Sequence, residues 1–329
     1  MPLIRFGRLA IGLMLLSIAA GSIAAQDKPA AKSKAQSVVG RWDITVHGAD
    51  GDYPSWLEVR LSGYRTLVGS YVSRFGSARP IAQVILDKGK IRFTIPPQWE
   101  PRTDDQAFEA IVEGELLRGE TTDEKGKRVT WEGRRAPSLK RDRLPTWGQS
   151  LELFNGHDLA GWKPRSASAK NGWRVQDGVM VNAIPGNDIQ TERKFTDFKL
   201  HTEFRYPKGS NSGVYLRGRY EVQIEDDFGK EPDSHYIGGV YGFLTPSVNA
   251  GKKAGEWQTL DVTLVGRVVT VVLNGERIID RQTIPGITGG ALDSDEDKPG
   301  PILLQGDHGR VEFRKVTLTP VQADEKPAK

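Results

Sequence analysis

Short runs in which apolar and polar residues alternate recur along this chain, and no segment carries a helical period. Trp42, Ile44 and Val46 alternate with polar residues, as do Leu57, Val59 and Leu61. Leu67–Val72, Ile81–Leu86 and Ile91–Ile95 follow, then Phe108, Ala110 and Val112, and Val129-Thr130-Trp131 closes the series. Turn residues separate these runs at Gly48–Pro54, Asp87-Lys88-Gly89 and Asp123–Gly126. A period of two puts every second side chain on one face of a strand, so each run has one face to bury. Many short strands with close turns predict an antiparallel barrel or sandwich over residues 38–135.

Pro137, Pro145 and Gly148 break regular structure between residues 136 and 149, the expected linker. The basic cluster of Gly133–Arg143, with Arg134, Arg135, Lys140, Arg141 and Arg143, lies at this domain junction and reads as a solvated linker. A second all-β domain is expected over residues 150–321. Phe198, Leu200, Thr202, Phe204 and Tyr206 alternate with Lys199, His201, Glu203 and Arg205. Val268–Leu273 and Glu276–Asp280 flank Asn274-Gly275, a strong hairpin signal because both turn residues tolerate positive φ. Ile302–Gln305 and Val311–Thr319 are the final expected strands, and residues 322–329 read as a frayed tail.

The start of the chain resembles an export signal. Arg5 and Arg8 precede an apolar run from Leu9 to Ala20, and Gly21–Ala25 supplies small residues for cleavage. The run is shorter than the ~20 residues of a membrane span. A signal over residues 1–25 and a Lys/Ala/Pro-rich disordered leader over 26–37 are expected, with the mature chain periplasmic or extracellular. No later segment is long and apolar enough to cross a bilayer as a helix. Cysteine is absent, which excludes disulfides, thiolate metal sites and cysteine nucleophiles. The net charge of +4 falls by the charges of Arg5 and Arg8 to +2, with acids and bases interspersed. Nucleic acid is therefore not an expected partner.

Chemistry concentrates in Asn211–Asp226, which places amide, hydroxyl, guanidinium and carboxylate groups on what reads as strand. Polar side chains fixed on a rigid sheet suit a hydroxyl-rich ligand. Glu221, Gln223 and Glu225 share a face if the strand is regular. Asn211-Ser212-Gly213 reads as a turn entering it, and His308 reads as the tip of a hairpin between the last two strands. Asp226 is either a second carboxylate of a site or the opening of a turn. Arg217 is either a ligand for an oxyanion or the ion-pair partner of Glu221. Asp293, Asp295 and Asp297 have alternate spacing, but Lys298 stands where a Ca²⁺ loop needs glycine, so the segment reads as a solvated acidic loop. No metal site is expected.

Several blocks in order carry a resemblance. They are Leu153–Trp162, Trp173–Val179, Thr196–Leu200, Asn211-Ser212-Gly213, Tyr220–Ile224, Gly255–Gln258, Leu273-Asn274-Gly275 and Val311–Arg314. Together they resemble the 3-keto-disaccharide hydrolase family, also described as 3-keto-glucoside 1,2-lyase / 3-keto-2-hydroxyglucal hydratase, over about residues 150–321. Gln258, Lys315 and Glu225 depart from the residues usual in that family. The resemblance implies a concanavalin A-like sandwich of two antiparallel sheets. Gly40-Arg41-Trp42, at the head of the first domain, resembles the Gly-x-Trp opening of lipocalin-like barrels.

The activity that the resemblance implies is elimination and hydration of a 3-keto-glycoside, an oxidised glycoside. A ketone at C3 acidifies the hydrogen on C2, a base removes it, and the glycosidic oxygen leaves from C1. Water then adds to the unsaturated product. This requires a base, an acid and a stabiliser for the enolate oxygen, and no cofactor. Glu221 or Asp226 is expected as base, and Arg217 or His308 as electrophilic helper. Asn211, Ser212, Gln223, Tyr241 and Trp257 are expected to contact substrate, with His235 bordering the cleft. The competing readings are a carbohydrate-binding module without catalysis and a surface scaffold.

Overall fold

The computed structural model describes residues 38–123 and 125–322. The expected signal, leader and nearly all of the tail lie outside the described residues. No helix occurs among the described residues, so none crosses a membrane.

The first eight strands are β1 (Gly40–Gly48), β2 (Gly51–Ser62), β3 (Thr66–Val72), β4 (Arg79–Asp87), β5 (Lys90–Ile95), β6 (Gln106–Glu113), β7 (Leu116–Thr122) and β8 (Arg128–Arg135). They run up and down in sequence order, and β8 pairs with β1 to close a barrel. Closure removes the open edges that an eight-stranded sheet would otherwise expose. The inward residues are those of the apolar alternation: Trp42, Ile44, Val46, Val59, Phe93, Phe108 and Trp131 are all buried. Phe93 and Phe108 stack with centroids 4.8 Å apart, and Tyr71 lies 4.6 Å from Phe108. The interior is thus a packed aromatic core.

Strand β7 departs from the expected series, because its inward row is Leu117, Gly119 and Thr121, with one large apolar residue. Gly119 faces the indole of Trp131. A Cβ there would lie 2.5 Å from Trp131 Cε2 and 2.2 Å from the Glu109 carbonyl oxygen. The bulk that β7 lacks is supplied from β8.

The remaining strands are β9 (Leu151–Glu152), β10 (Trp162–Pro164), β11 (Trp173–Gln176), β12 (Val179–Asn182), β13 (Ile189–Thr191), β14 (Phe198–Arg205), β15 (Asn211–Leu216), β16 (Tyr220–Glu225), β17 (Gln258–Val265), β18 (Val268–Leu273), β19 (Glu276–Thr283), β20 (Leu303–Leu304) and β21 (Val311–Pro320). They form a five-stranded sheet in the order β10-β13-β20-β15-β16 and a larger one in the order β11-β12-β21-β14-β17-β18-β19, with β9 on β21. The two sheets make a sandwich around one core that includes Phe198, Phe204, Val222, Leu304 and Phe313. The β18–β19 hairpin turns at Asn274 and Gly275, both at positive φ as expected.

Four local expectations are corrected. Asn211-Ser212-Gly213 is the start of β15, and no turn forms there. His308 lies on a crossover, because β20 and β21 belong to different sheets. The acidic segment is not simply solvated: Asp293 pairs with buried Arg219 at 2.6 Å, and Glu296 is fully buried. The basic linker is also partly held. Arg141 pairs with Asp197 at 2.6 Å, and the Pro137 carbonyl accepts a bond from Arg267.

The barrel and the sandwich are packed together. Barrel residues Trp56 and Val72 belong to the core of the sandwich, and Trp56 meets Phe243 edge-on at 5.4 Å. The Arg41 guanidinium donates to the Pro285 carbonyl, 3.0 Å away. Burial, reinforced by the charge of Glu296 across the junction, pushes Asp43 up to about 9. The Gly119→Ala substitution should cost about 1–3 kcal/mol by overpacking the barrel. A lower urea midpoint is the expected reading; an unchanged one would show that β7 and Trp131 are not in fixed contact.

Candidate active site

The outward face of the five-stranded sheet builds the site. Along β15, Ser212, Val214 and Leu216 point to the core, while Asn211 and Tyr215 line a cavity of about 560 Å³. Along β16, Val222 and Ile224 point inward while Glu221 and Gln223 line the same cavity. The period of two therefore assigns one face to packing and the other to polar chemistry. The flanks of the other strands add Arg165 after β10, Asp188 before β13, and Gln305, Asp307 and His308 after β20. The size suits a sugar-sized ligand.

Glu221 and Asp188 are the deeply buried carboxyls among the described residues lining this cavity, each 4% exposed. Glu221 Oε1 fills the space beside Gly213, where a Cβ would lie 2.3 Å away. Gly213 is thus glycine because the carboxyl needs that space. Ser212, expected to touch substrate, donates from its hydroxyl to the Gln305 carbonyl at 2.8 Å and fixes β20 against β15.

The proton balance around Glu221 is decisive. The Tyr215 hydroxyl oxygen lies 2.9 Å from Glu221 Oε2 and 3.0 Å from the Gly289 carbonyl oxygen. It has one hydrogen to donate and two acceptors. Both contacts become hydrogen bonds when Glu221 carries a proton, donates it to Tyr215, and Tyr215 donates to Gly289. Desolvation acts in the same direction and raises Glu221 to about 8, against the weaker lowering that a bond donated by Tyr215 to the ionised carboxylate and the charge of His308 would exert. Glu221 is then a neutral acid at pH 7. Among the described residues it has no arginine partner.

His308 Nδ1 lies 2.5 Å from Asp307 Oδ1. That bond, together with the charge of Asp307, raises His308 above its ordinary value despite partial burial. Burial, the largest single influence, would raise Asp307, but its bond to His308, the charge of His308, its own backbone N–H and the charge of Arg165 together outweigh this and hold it low. The bond fixes Nδ1 and leaves Nε2 for other work. Asp188 is pushed up by burial and by the charge of Asp307, and it accepts from Arg165 at 3.0 Å and from the Gly306 N–H at 3.0 Å. Arg165 also donates to the carbonyls of Gly290 and Ala291. Two buried acceptors, Gln223 Oε1 and Gln305 Oε1, have no hydrogen-bond partner among the described residues and belong to side chains lining the cavity. Buried polar atoms are normally paired, so these two await a donor.

Of the residues expected from sequence, Glu221, His308, Asn211, Gln223, Tyr241 and His235 come together here. Asp226 does not line the cavity; it accepts from the Gly209 N–H at 2.8 Å and holds the turn before β15. Arg217 is spent elsewhere. It and Gly218 take positive φ in the tight β15–β16 turn, and its guanidinium binds the Gly266 carbonyl at 2.6 Å and the Tyr220 hydroxyl at 3.2 Å. Trp257 carries the guanidinium groups of Arg205 and Arg314 over its ring, at 4.7 and 4.5 Å, and does not line the cavity. Sequence reasoning did not assign Arg165, Asp188, Tyr215, Asp307 or Gln305 to the site. The period of two carried a signal for Tyr215, which pairs across the ladder with Glu221.

Four more lining residues, Phe75, Gly76, Gln98 and Trp99, come from the barrel. The approach is close: the Gly290 N–H donates to the Arg74 carbonyl at 2.9 Å, and a Cβ on Gly289 would lie 2.2 Å from the Gly76 carbonyl oxygen. A larger depression of about 1170 Å³ lies on the barrel's charged face. There Lys90 pairs with Glu109 and Arg118 with Glu132. Such exposed pairs contribute little, and that depression holds no carboxyl recessed like Glu221.

Residues 149–319 match the family described as the 3-keto-alpha-glucoside-1,2-lyase-like domain, which covers more than half of the chain. The chain belongs to this family. Membership makes it a carbohydrate-active protein of the glycoside-acting kind. Among solved structures it is similar to a provisionally described glycosyl hydrolase from Parabacteroides distasonis, with 28% identity over 54% of this chain and 92% of that one, and a TM-score of 0.44. A second such protein from the same organism shows 23% identity over 53% and 94%, with a TM-score of 0.43. The carbohydrate-binding module CBM66 of Bacillus subtilis shows 13% identity over 48% and 94%, with a TM-score of 0.31. No curated protein matches the sequence.

The state of Glu221 has a thermodynamic consequence. Its carboxyl stays neutral in the fold up to about 8 but ionises near 4.5 when unfolded. Between these values the folded chain holds the extra proton, so stability falls as pH rises through the window and levels off above it. Glu221→Gln, which keeps a donor for Tyr215, removes that loss. At pH 8.5 the variant should be more stable than the parent by about 1–3 kcal/mol in urea unfolding, with the difference shrinking towards pH 5. A pH-independent difference would show that Glu221 is ionised throughout.

Proposed function

We propose that this protein is an exported enzyme that cleaves 3-keto-glycosides by elimination followed by hydration. The observation that carries the reading is the meeting, in one cavity, of a buried proton-bearing carboxyl and an aspartate-held imidazole. The carboxyl is held dry beside Tyr215, and the imidazole is held at Nδ1 with Nε2 left open, so one cavity offers groups for both acid and base work. Family membership supports the substrate class, and the unpartnered Gln223 and Gln305 oxygens suit sugar hydroxyls.

In this reading His308 Nε2 removes the proton from C2 of the 3-keto sugar. The electron pair moves towards the C3 oxygen, where the held positive charge of Arg165 stabilises the enolate. The enolate collapses to a C1–C2 double bond, the C1–O bond breaks, and Glu221 protonates the departing oxygen. Glu221, now ionised, takes a proton from water as it adds to C1, while the His308 imidazolium, its Nε2 proton exchanged with solvent, delivers a proton to C2. The product is the 3-keto sugar, and both groups regain their starting forms. His308 here is the base rather than an electrophilic helper, and Glu221 is first the acid.

The test is incubation with a 3-keto-glucoside and, separately, with its parent glucoside. Release from the keto sugar alone is expected. In D2O the product sampled at short times should carry deuterium at C2, which direct hydrolysis would not install. Glu221→Gln and His308→Ala should each lower kcat by about 10²–10⁴-fold. The kcat/KM profile should rise as His308 loses its proton and fall near the Glu221 value of about 8. Cleavage of the parent glucoside at an equal rate, or no deuterium at C2, would refute the elimination. Export is supported by the Arg5/Arg8 and Leu9–Ala20 pattern. Intact mass of the protein from the periplasm or medium should place its first residue at Ala25 or Gln26; a full-length product would refute it.

A further inference from the structure

The polar wall of the cavity comes from the sandwich, but two of its aromatic side chains, Phe75 and Trp99, come from the barrel. Both keep part of their surface open, 39% and 38% exposed. Their mobility does not explain this, because the loops that carry them are braced. The Trp99 indole N–H donates to the Phe75 carbonyl at 3.0 Å, and the rings meet edge-on at 5.4 Å. The Glu100 carboxylate accepts the backbone N–H groups of Gln98 and Trp99 and pairs with Arg79 at 2.9 Å. That ion pair is almost fully buried, with both side chains 4% exposed. The Gln98 amide clamps Ser77 through two bonds, of 2.7 and 2.9 Å.

A buried ion pair is a costly way to stabilise a loop, and its attested use is to fix geometry. The geometry fixed here is two apolar rings facing a cavity whose opposite wall is polar. A ring lacking keto chemistry needs no acid, base or oxyanion partner. It needs a flat apolar surface, which the C–H face of a pyranose or an aryl group can cover.

We propose that Phe75 and Trp99 of the barrel form the subsite for the leaving-group ring, so that the substrate carries a second ring, sugar or aryl, on its glycosidic oxygen. This rests on the elimination reading above. The barrel then acts as a specificity element for chemistry carried out by the sandwich.

The experiment uses the full chain and three substrates: methyl 3-keto-glucoside, a 3-keto-disaccharide and an aryl 3-keto-glucoside. Trp99→Ala and Phe75→Ala should lower kcat/KM for the two-ring substrates about tenfold, the scale of one aromatic contact, and change the methyl glycoside by less than about twofold. Trp99→Phe should recover most of the loss, which separates stacking from misfolding. The larger loss, for disaccharide or for aryl glycoside, identifies the ring. An equal fall on all three substrates, or no fall on any, overturns the proposal. If the parent enzyme cleaves none of them, the elimination reading fails by itself. Calorimetry with maltose and methyl α-glucoside then decides: weaker binding of maltose alone by Trp99→Ala supports the subsite, and any other result overturns it.

Discussion

The Tyr215 hydroxyl has one hydrogen and two oxygens to satisfy, Glu221 Oε2 and the Gly289 carbonyl, and a proton on Glu221 resolves the shortage. That proton depends on dryness. A carboxyl on the outer face of a five-stranded sheet would ordinarily meet water and ionise. Here the Asp233–Leu244 segment closes over β16, with the Tyr241 N–H on the Glu221 carbonyl, and barrel loops close the far side against Gly289 and Gly290. Burial of Glu221 is therefore a property of the whole two-domain body. The glycines at the contact follow from it: Gly213 leaves space for the carboxyl, and Gly289 leaves space for the incoming barrel backbone.

Much of the architecture was legible because it rests on alternation and turn chemistry, which are local. The barrel strands carrying Trp42, Phe93, Phe108 and Trp131 declared their inner faces, and Asn274-Gly275 declared its hairpin. Strand β7 did not, because its inner face holds Gly119 to accommodate Trp131, a bulk supplied by the neighbouring strand. Arg217 read as a site cation because its residue type allowed it. Only the tight turn, which sends its side chain to Gly266 and Tyr220, shows otherwise. Trp257 misled for a similar reason: two arginines lie over its ring.

The site was half legible. Glu221 and Gln223 lie two apart on one strand, so their common face follows from the period of two. His308 and Asp307 reach the cavity through a crossover between sheets, and Arg165 and Asp188 through loops flanking short strands. No local pattern encodes those meetings. The barrel's share was invisible for a stronger reason, since Phe75 and Trp99 face the cleft only through docking more than a hundred residues away in sequence. The resemblance covered the sandwich and was silent on its cover.

Glu221 as the proton-bearing group of the cavity is most directly tested by infrared difference spectroscopy of the unliganded protein against Glu221→Gln. Asp43, also raised to about 9, is common to both proteins and cancels in the difference. At pH 7 the difference should contain the carbonyl stretch of a protonated carboxylic acid, and that band should convert to carboxylate as pH passes about 8. A carboxylate signal already complete at pH 6 would contradict a protonated Glu221 and remove the acid from the proposed mechanism.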